Sequence, residues 1–573
     1  MQLHCTILYG TPPVDARRRH ETSGQDLPRP RPLAQRRRRG ASTCGSGGDA
    51  TAAKVGGTLT VLYTQDFAHL DPQRNYVMFA MDFGTRLLYR TLTTYAAAEG
   101  QEGTKVVPDL ATDTGTTSDR GRTWTYHLRP GLKFEDGTPI TSADVKYGVE
   151  RSFAPDLPEG PGYARTMLEG GDGYKGPYKD KGGLASITTP DARTVVFRLR
   201  EPSMDWPKIT TLPTFAPVPK AKDTGVNFDK RPFSSGPYKV ESYDRGQRLI
   251  LVRNTHWDKA ADGVRQANPD RIVVEEGLAQ ATIDQRLIAD QGRDQRAVTL
   301  YSVAPASMPR ILTRPDVRKR FVSATSLCTR FLAMNTSRPP FDDPKVRQAM
   351  QYAVDKEAYR TAHGGSGVGE LAGSYLPPAM TGGQAQNVYQ APPNGDPAKA
   401  RQLLAAAGRS AGFSIDLTTT SSELGKSEAE AVQQALARVG VKVRINPVAK
   451  SVYYDTIGDT AKEDELVFYG WCADYPSAAS FIPPIFDGRT IAPKGNTVVS
   501  QLNDKAVNEK IGAAVKGNDP AAWTALDREL MGLSPMVPLI HDKLPLLRGS
   551  KVTGTFGHAI WEGEFDFATI GVM

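Results

Sequence analysis

The run Leu466-Val467-Phe468-Tyr469-Gly470-Trp471-Cys472-Ala473-Asp474-Tyr475-Pro476 decides how this chain is read. Its first four residues are uninterrupted apolar and aromatic side chains, the pattern of a buried strand. Asp474 then falls just past the strand end, in a loop, where binding groups concentrate. Cys472 has a candidate partner far upstream, Cys328, inside the strand-like run Leu327-Cys328-Thr329-Arg330-Phe331-Leu332-Ala333-Met334-Asn335. Joined, the two would bring a carboxylate, an aromatic ring and a disulfide to one place in an oxidised, exported protein. The plainer alternative makes Trp471 a core residue, Asp474 a turn former and both cysteines buried thiols. The run alone leaves both open.

The size and composition around this run set the frame. A chain of 573 residues is too long for one core, and two to four lobes are expected. Charged residues make up 23% of it, an ordinary fraction for a folded protein. No stretch approaches the eighteen apolar residues of a membrane span, and no repeat of 20 to 50 residues is visible. The net charge of +8 is a property of one end: residues 1–43 hold nine Arg, no Lys and three acidic residues, so +6 of it lies there and only +2 in the rest. A nearly neutral body excludes a nucleic-acid surface as the meaning of the basic balance.

That arginine-rich end, with Arg17-Arg18-Arg19 and Arg36-Arg37-Arg38-Arg39 among prolines, runs into Ala41-Ser42-Thr43-Cys44-Gly45-Ser46-Gly47-Gly48-Asp49. A cysteine followed by a Gly/Ser linker looks like the lipidated first residue of a mature bacterial lipoprotein. Such a residue needs an apolar segment before it, and here arginines stand in that place. The expectation is that residues 1–43 are a misread export signal, with residues 1–54 as a whole an atypical terminus and linker, and Cys44 a candidate lipid anchor.

Downstream the pattern is mixed α/β. Gly57–Tyr63 alternates like a strand, and Val77–Tyr89 reads as helical. In Arg122–Ile140, Trp124, Tyr126 and Leu128 share one strand face, with His127 turned to solvent; Pro130-Gly131 and Asp136-Gly137 supply turns. Thr141-Ser142-Ala143-Asp144 opens a helix, Thr141 capping and Asp144 favouring its positive end. Thr194–Leu199 is a strand, and Tyr238–Val240 with Leu249–Arg253 a hairpin. Asp343-Pro344 starts a helix whose Val346, Met350 and Ala353 share one face. Further helices are expected at 396–407, 428–439 and 506–515, with a strand at 441–445.

Taken in order, Trp124–Asp144, Gly236-Pro237-Tyr238, Met334–Lys356 and Gly470–Tyr475 resemble the family 5 extracellular solute-binding proteins, which serve bacterial ABC importers and include oligopeptide- and dipeptide-binding proteins. The resemblance runs from about Gly56 to about residue 570. It implies an α/β, two-lobed periplasmic-binding-protein-like fold with a smaller third domain and a ligand cleft between the lobes. The implied division is lobe I at 55–95, 186–275 and 546–573, a small domain at 96–185, and lobe II at 276–545. It also implies that Asp474 holds the α-ammonium of a bound peptide, that Cys328 and Cys472 form a disulfide, and that Gly470, Trp471 and Cys472 contribute to the pocket. The implied partners are a short peptide and, through the permease, the ATPase subunits of an importer. The protein would act as an extracytoplasmic monomer, with no nucleic acid and no membrane contact beyond a lipid anchor. The same fold also serves nickel complexes, haem, oligosaccharides and other small solutes, so a non-peptide ligand is the competing expectation.

Enzymatic readings fail on spacing. Gly425-Lys426-Ser427 resembles the end of a phosphate-binding loop, but Thr420 stands where the earlier glycine is required. Gly365-Ser366-Gly367-Val368-Gly369 completes no dinucleotide fingerprint. The histidines His69, His127, His256 and His541 have no sequence neighbours with which to form a catalytic or metal-ligating set. No catalytic residue, metal or cofactor is expected.

Overall fold

The computed structural model describes residues 55–573. Cys44 and the arginine-rich segment lie outside the described residues. No helix among the described residues is long and apolar enough to cross a membrane.

Two large sheets organise the chain. In the first, strands lie in the order Ala297–Thr299, Thr58–Leu62, Arg271–Glu275, Arg248–Arg253, Tyr238–Asp244. Thr58–Leu62 runs parallel to both of its neighbours and is buried from Leu59 onward on both faces, as parallel strands are. The Tyr238–Arg253 hairpin supplies the antiparallel edge. In the second sheet the order is Gly369–Leu371, Met536–Leu547, Phe321–Met334, Leu466–Cys472, Phe413–Thr420, Val441–Val448. A third sheet pairs Thr123–His127 with Thr194–Arg198, and the latter with Ile187–Asp191. This is the two-lobed architecture with a smaller third domain.

The sheet pairing bears on the expected division. Thr60–Leu62 pairs with Ala297–Thr299, which puts the latter in the first sheet although 276–545 was assigned to lobe II. Thr194–Arg198, expected in lobe I, pairs with Thr123–His127 of the expected small domain and with Ile187–Asp191. We therefore propose to draw the first lobe through Thr299 and the small domain through Arg198. The physical reason is that a strand's membership follows its hydrogen-bonded neighbours, which sequence position does not show.

Local chemistry explains the elements. Trp124, Tyr126 and Leu128 are buried and His127 exposed, as alternation requires. Thr141 and Asp144 close a reciprocal capping box, the Thr141 amide donating to Asp144 Oδ2 at 2.8 Å. Asp343 accepts from the Lys345 amide at 2.8 Å and Pro344 begins the helix Pro344–Ala353. The helix expected at 428–439 begins earlier, at Glu423, because Ser422 caps it by accepting from the Gly425 amide. Gly425 reads as a breaker, yet a side chain there would meet Thr420 Oγ1 at 2.2 Å, so close packing explains the glycine.

One feature ties the lobes together. The long strands Phe321–Met334 and Met536–Leu547 form an antiparallel ribbon with a register shift between Thr325 and Thr329. On one side of the shift, Val322, Leu544 and Leu546 pack with the first sheet's core; on the other, Leu332, Met334, Val537, Leu539 and Ile540 pack with the second's.

Candidate functional site

The strand Leu466–Cys472 pairs with Phe321–Met334 so that Cys472 faces Cys328, Trp471 faces Thr329 and Gly470 faces Arg330. Directly opposed residues on antiparallel strands come close, and the two cysteine Cα atoms are 4.0 Å apart with their sulfurs at bonding distance. Asp474 follows two residues later. Its carboxylate accepts from the Tyr163 hydroxyl, and Tyr76 donates to it as well. Tyr475 packs edge-on against Tyr163, ring centroids 5.7 Å apart. Part of Asp474 still meets solvent, but it lies deep among packed groups. Burial therefore raises its carboxyl above the usual range, and the two phenols offset this only in part. No ion pair to Asp474 exists among the described residues.

The rest of the expected set falls around it. Trp471 is half-buried, its indole N–H donating to the Ser480 carbonyl at 3.0 Å. At Gly470 an added Cβ would stand 3.8 Å from Arg330 Nη1, ordinary contact, so a small residue is not forced there.

Three further residues meet here that sequence reasoning missed. Arg330 Nε donates to both oxygens of Asp542 at 3.0 Å. Burial works against the guanidinium's charge, but Asp542 outweighs it and holds Arg330 firmly protonated. Glu562, from the C-terminal segment, brings a carboxylate oxygen within 4.8 Å of the sulfurs of Cys328 and Cys472. While those sulfurs are bonded to each other they offer no thiolate, so the trio is not a metal centre. Burial, then repulsion from Asp542 against the pull of Arg330, pushes the Glu562 carboxyl up to about 7. A surface depression lined by Gln101, Lys105, Met204, Lys208 and Thr381 shares no residue with this cluster. The one available signal for Glu562 was the placement of three acids, Glu562, Glu564 and Asp566, within the aromatic run Trp561–Phe567.

Two lobes with a charged, aromatic cluster between distant segments define the class of a solute-binding protein. Residues 105–492 match the family model described as "Bacterial extracellular solute-binding proteins, family 5 Middle". The chain belongs to that family, whose members are the binding components of ABC importers and not enzymes. Among curated proteins it is 29% identical over 476 residues to the glutathione-binding protein GsiB of Salmonella paratyphi A, covering 80% of this chain and 85% of that one. GsiB of Escherichia coli O6:K15:H31 is 28% identical over 482 residues, with the same coverage of 80% and 85%. Among solved structures, the clavulanic acid biosynthesis oligopeptide binding protein 2 superposes with a TM-score of 0.83 at 36% identity, covering 92% of this chain and 99% of that one. The unliganded open form of the murein tripeptide binding protein MppA matches in fold, with a TM-score of 0.73 at 21% identity and coverage of 91% and 99%.

Proposed function

We propose that this protein captures short peptides between its lobes and presents them to the permease of an ABC importer, with Asp474 receiving the peptide's α-ammonium. The observation that carries this is Asp474 itself: a carboxylate deep among packed groups, met by two neutral hydroxyls and, among the described residues, by no cation. Such a charge is costly unless a cation joins it, and a peptide's free amino terminus is a cation of the right size and donor geometry. The relatives support the reading, since the two most informative are named for binding glutathione and oligopeptides. In this reading Gly470, Trp471 and Cys472 wall the pocket. The Cys328–Cys472 bridge steadies the loop bearing Asp474, and main-chain pairing gives affinity with little side-chain selectivity. Cys44 is the lipid anchor holding a monomeric protein at the outer face of the membrane.

Calorimetric titration with pools of two- to six-residue peptides, free and N-acetylated, tests it. Heat from the free pool alone is expected, because acetylation removes the ammonium. Heat from neither pool, with folded protein, moves the ligand to a non-peptide solute.

A further inference from the structure

Glu562 and Glu564 have no role in the site as described so far. Glu562 adopts a left-handed backbone (φ +55°), which turns its side chain out of the Trp561–Phe567 run. Its segment packs on the ribbon between the lobes: a Cβ at Gly563 would stand 2.8 Å from the Ala324 carbonyl and 3.0 Å from Leu544 Cβ. That places Glu562 beside the Cys328–Cys472 sulfurs and within the field of Asp542 and Asp474. Glu562 makes neither a hydrogen bond nor an ion pair among the described residues. Glu564, two residues on, is 1% exposed, and among the described residues no side chain partners its carboxylate. The amides of Tyr301 and Phe565 offset only part of its burial, and Glu562 adds to it by repulsion.

The charge balance is one-sided. The groups whose charge bears on Glu562 are Asp542, Arg330 and Asp474, and the single cation among them is already matched at 3.0 Å by Asp542; Glu564 also faces the buried carboxyl of Asp82. One α-ammonium, given to Asp474, leaves the Glu562 and Glu564 carboxyls without a counter-charge. Glu564 is buried and Glu562 half-buried, and an unpaired carboxylate withdrawn from water either takes up a proton or receives a cation.

We propose that Glu562, backed by Glu564, is a second cation subsite beside the Cys328–Cys472 bridge, so that the favoured ligands are peptides carrying a basic side chain besides the α-ammonium. The inference rests on the peptide reading above and adds to it a class of substrate. An ammonium or guanidinium entering there meets a carboxylate that has no ion-pair partner among the described residues. Neutral side chains of the same length leave it unpaired.

The test is calorimetric titration of the full chain with Ala-Ala-Ala and with tripeptides carrying lysine, or its neutral near-isostere norleucine, at each of the three positions in turn. At one position lysine is expected to bind at least tenfold more tightly than norleucine at pH 7.5, and E562Q is expected to reduce that ratio to within threefold. Equal affinities for every lysine and norleucine pair, alongside measurable binding of Ala-Ala-Ala, overturn the subsite and leave the peptide reading standing. A lysine preference that survives in E562Q overturns it too. No binding of any tripeptide defeats both readings together. The wild-type comparison stands alone should E562Q fold poorly.

Discussion

Asp109 and Asp474 are both carboxylates withdrawn from water, and the protein treats them in opposite ways. Asp109 is enclosed by arginines: Arg90 donates to it at 2.6 Å, Arg265 at 2.7 and 3.0 Å, and the Thr91 amide at 3.2 Å. Asp262 completes that network through Arg265 at 3.0 Å. Burial alone would disfavour its charge, yet Arg265 and Arg90 together hold its carboxyl below the usual range. Asp474 has two phenols and, among the described residues, no cation. The first region is closed upon itself and joins distant segments into one body. The second is left incomplete within the protein, and incompleteness of charge is what a ligand can remedy. A buried carboxylate is therefore structural or receptive according to whether its counter-charge is built in.

The largest effect should come from the closed region. Asp109→Ala leaves Arg90 and Arg265 buried without their main partner and should destabilise by about 3–5 kcal/mol, read as a fall in the midpoint of chemical unfolding. A loss under 1 kcal/mol would break the contrast. Asp474→Ala should act the other way round, weakening free-amine peptide binding by about 2–5 kcal/mol with little change in the unfolding midpoint. Less than a tenfold change in Kd counts against the anchor.

Cys328→Ser removes a link between positions 144 apart in sequence. Under oxidising conditions it should cost about 2–4 kcal/mol of stability, seen as a lower melting temperature than wild type. Identical melting of the wild type with and without reductant would refute the bridge. The smallest effect concerns Glu562. Its carboxyl is pushed up to about 7 in the folded protein, above its unfolded value. The stability this contributes is fully present below the unfolded value near 4.5 and is lost as pH rises through about 7. Ligand-free wild type should therefore lose about 1–3 kcal/mol relative to E562Q between pH 5 and pH 8. Parallel pH–stability curves for the two proteins would count against it.

The sequence made the carrier of the site legible but not its surroundings. Leu466–Cys472 is a strand because four consecutive apolar side chains have nowhere else to go, and Asp474 lies in the loop just past it. Asp343 and Pro344 announce their helix through chemistry confined to three residues. Tyr76 and Tyr163 reach Asp474 from distant segments, and Asp542 and Glu562 reach Arg330 and the disulfide beside it from two more, and no local pattern records that meeting. Arg90, Asp109 and Arg265 are hidden for the same reason: in sequence each is an ordinary surface-type charge, and only the fold removes it from water. The proposed shift of the domain limits to Thr299 and Arg198 has a related cause. Ala297–Thr299 is three residues long, and only its pairing partners reveal which sheet it joins.

The ribbon formed by Phe321–Met334 and Met536–Leu547 carries a mechanical consequence. Two strands laced by hydrogen bonds bend and twist readily but resist sliding past one another. Their register shift lies between the stretch seated in one core and the stretch seated in the other. Bending thus concentrates at Thr325–Thr329, where the ladder is interrupted. Cys328 lies within this interrupted stretch, so the disulfide sits where the ribbon yields most easily. If the lobes swing about it, the residues beside Cys328 travel least, and that part of the site keeps its geometry.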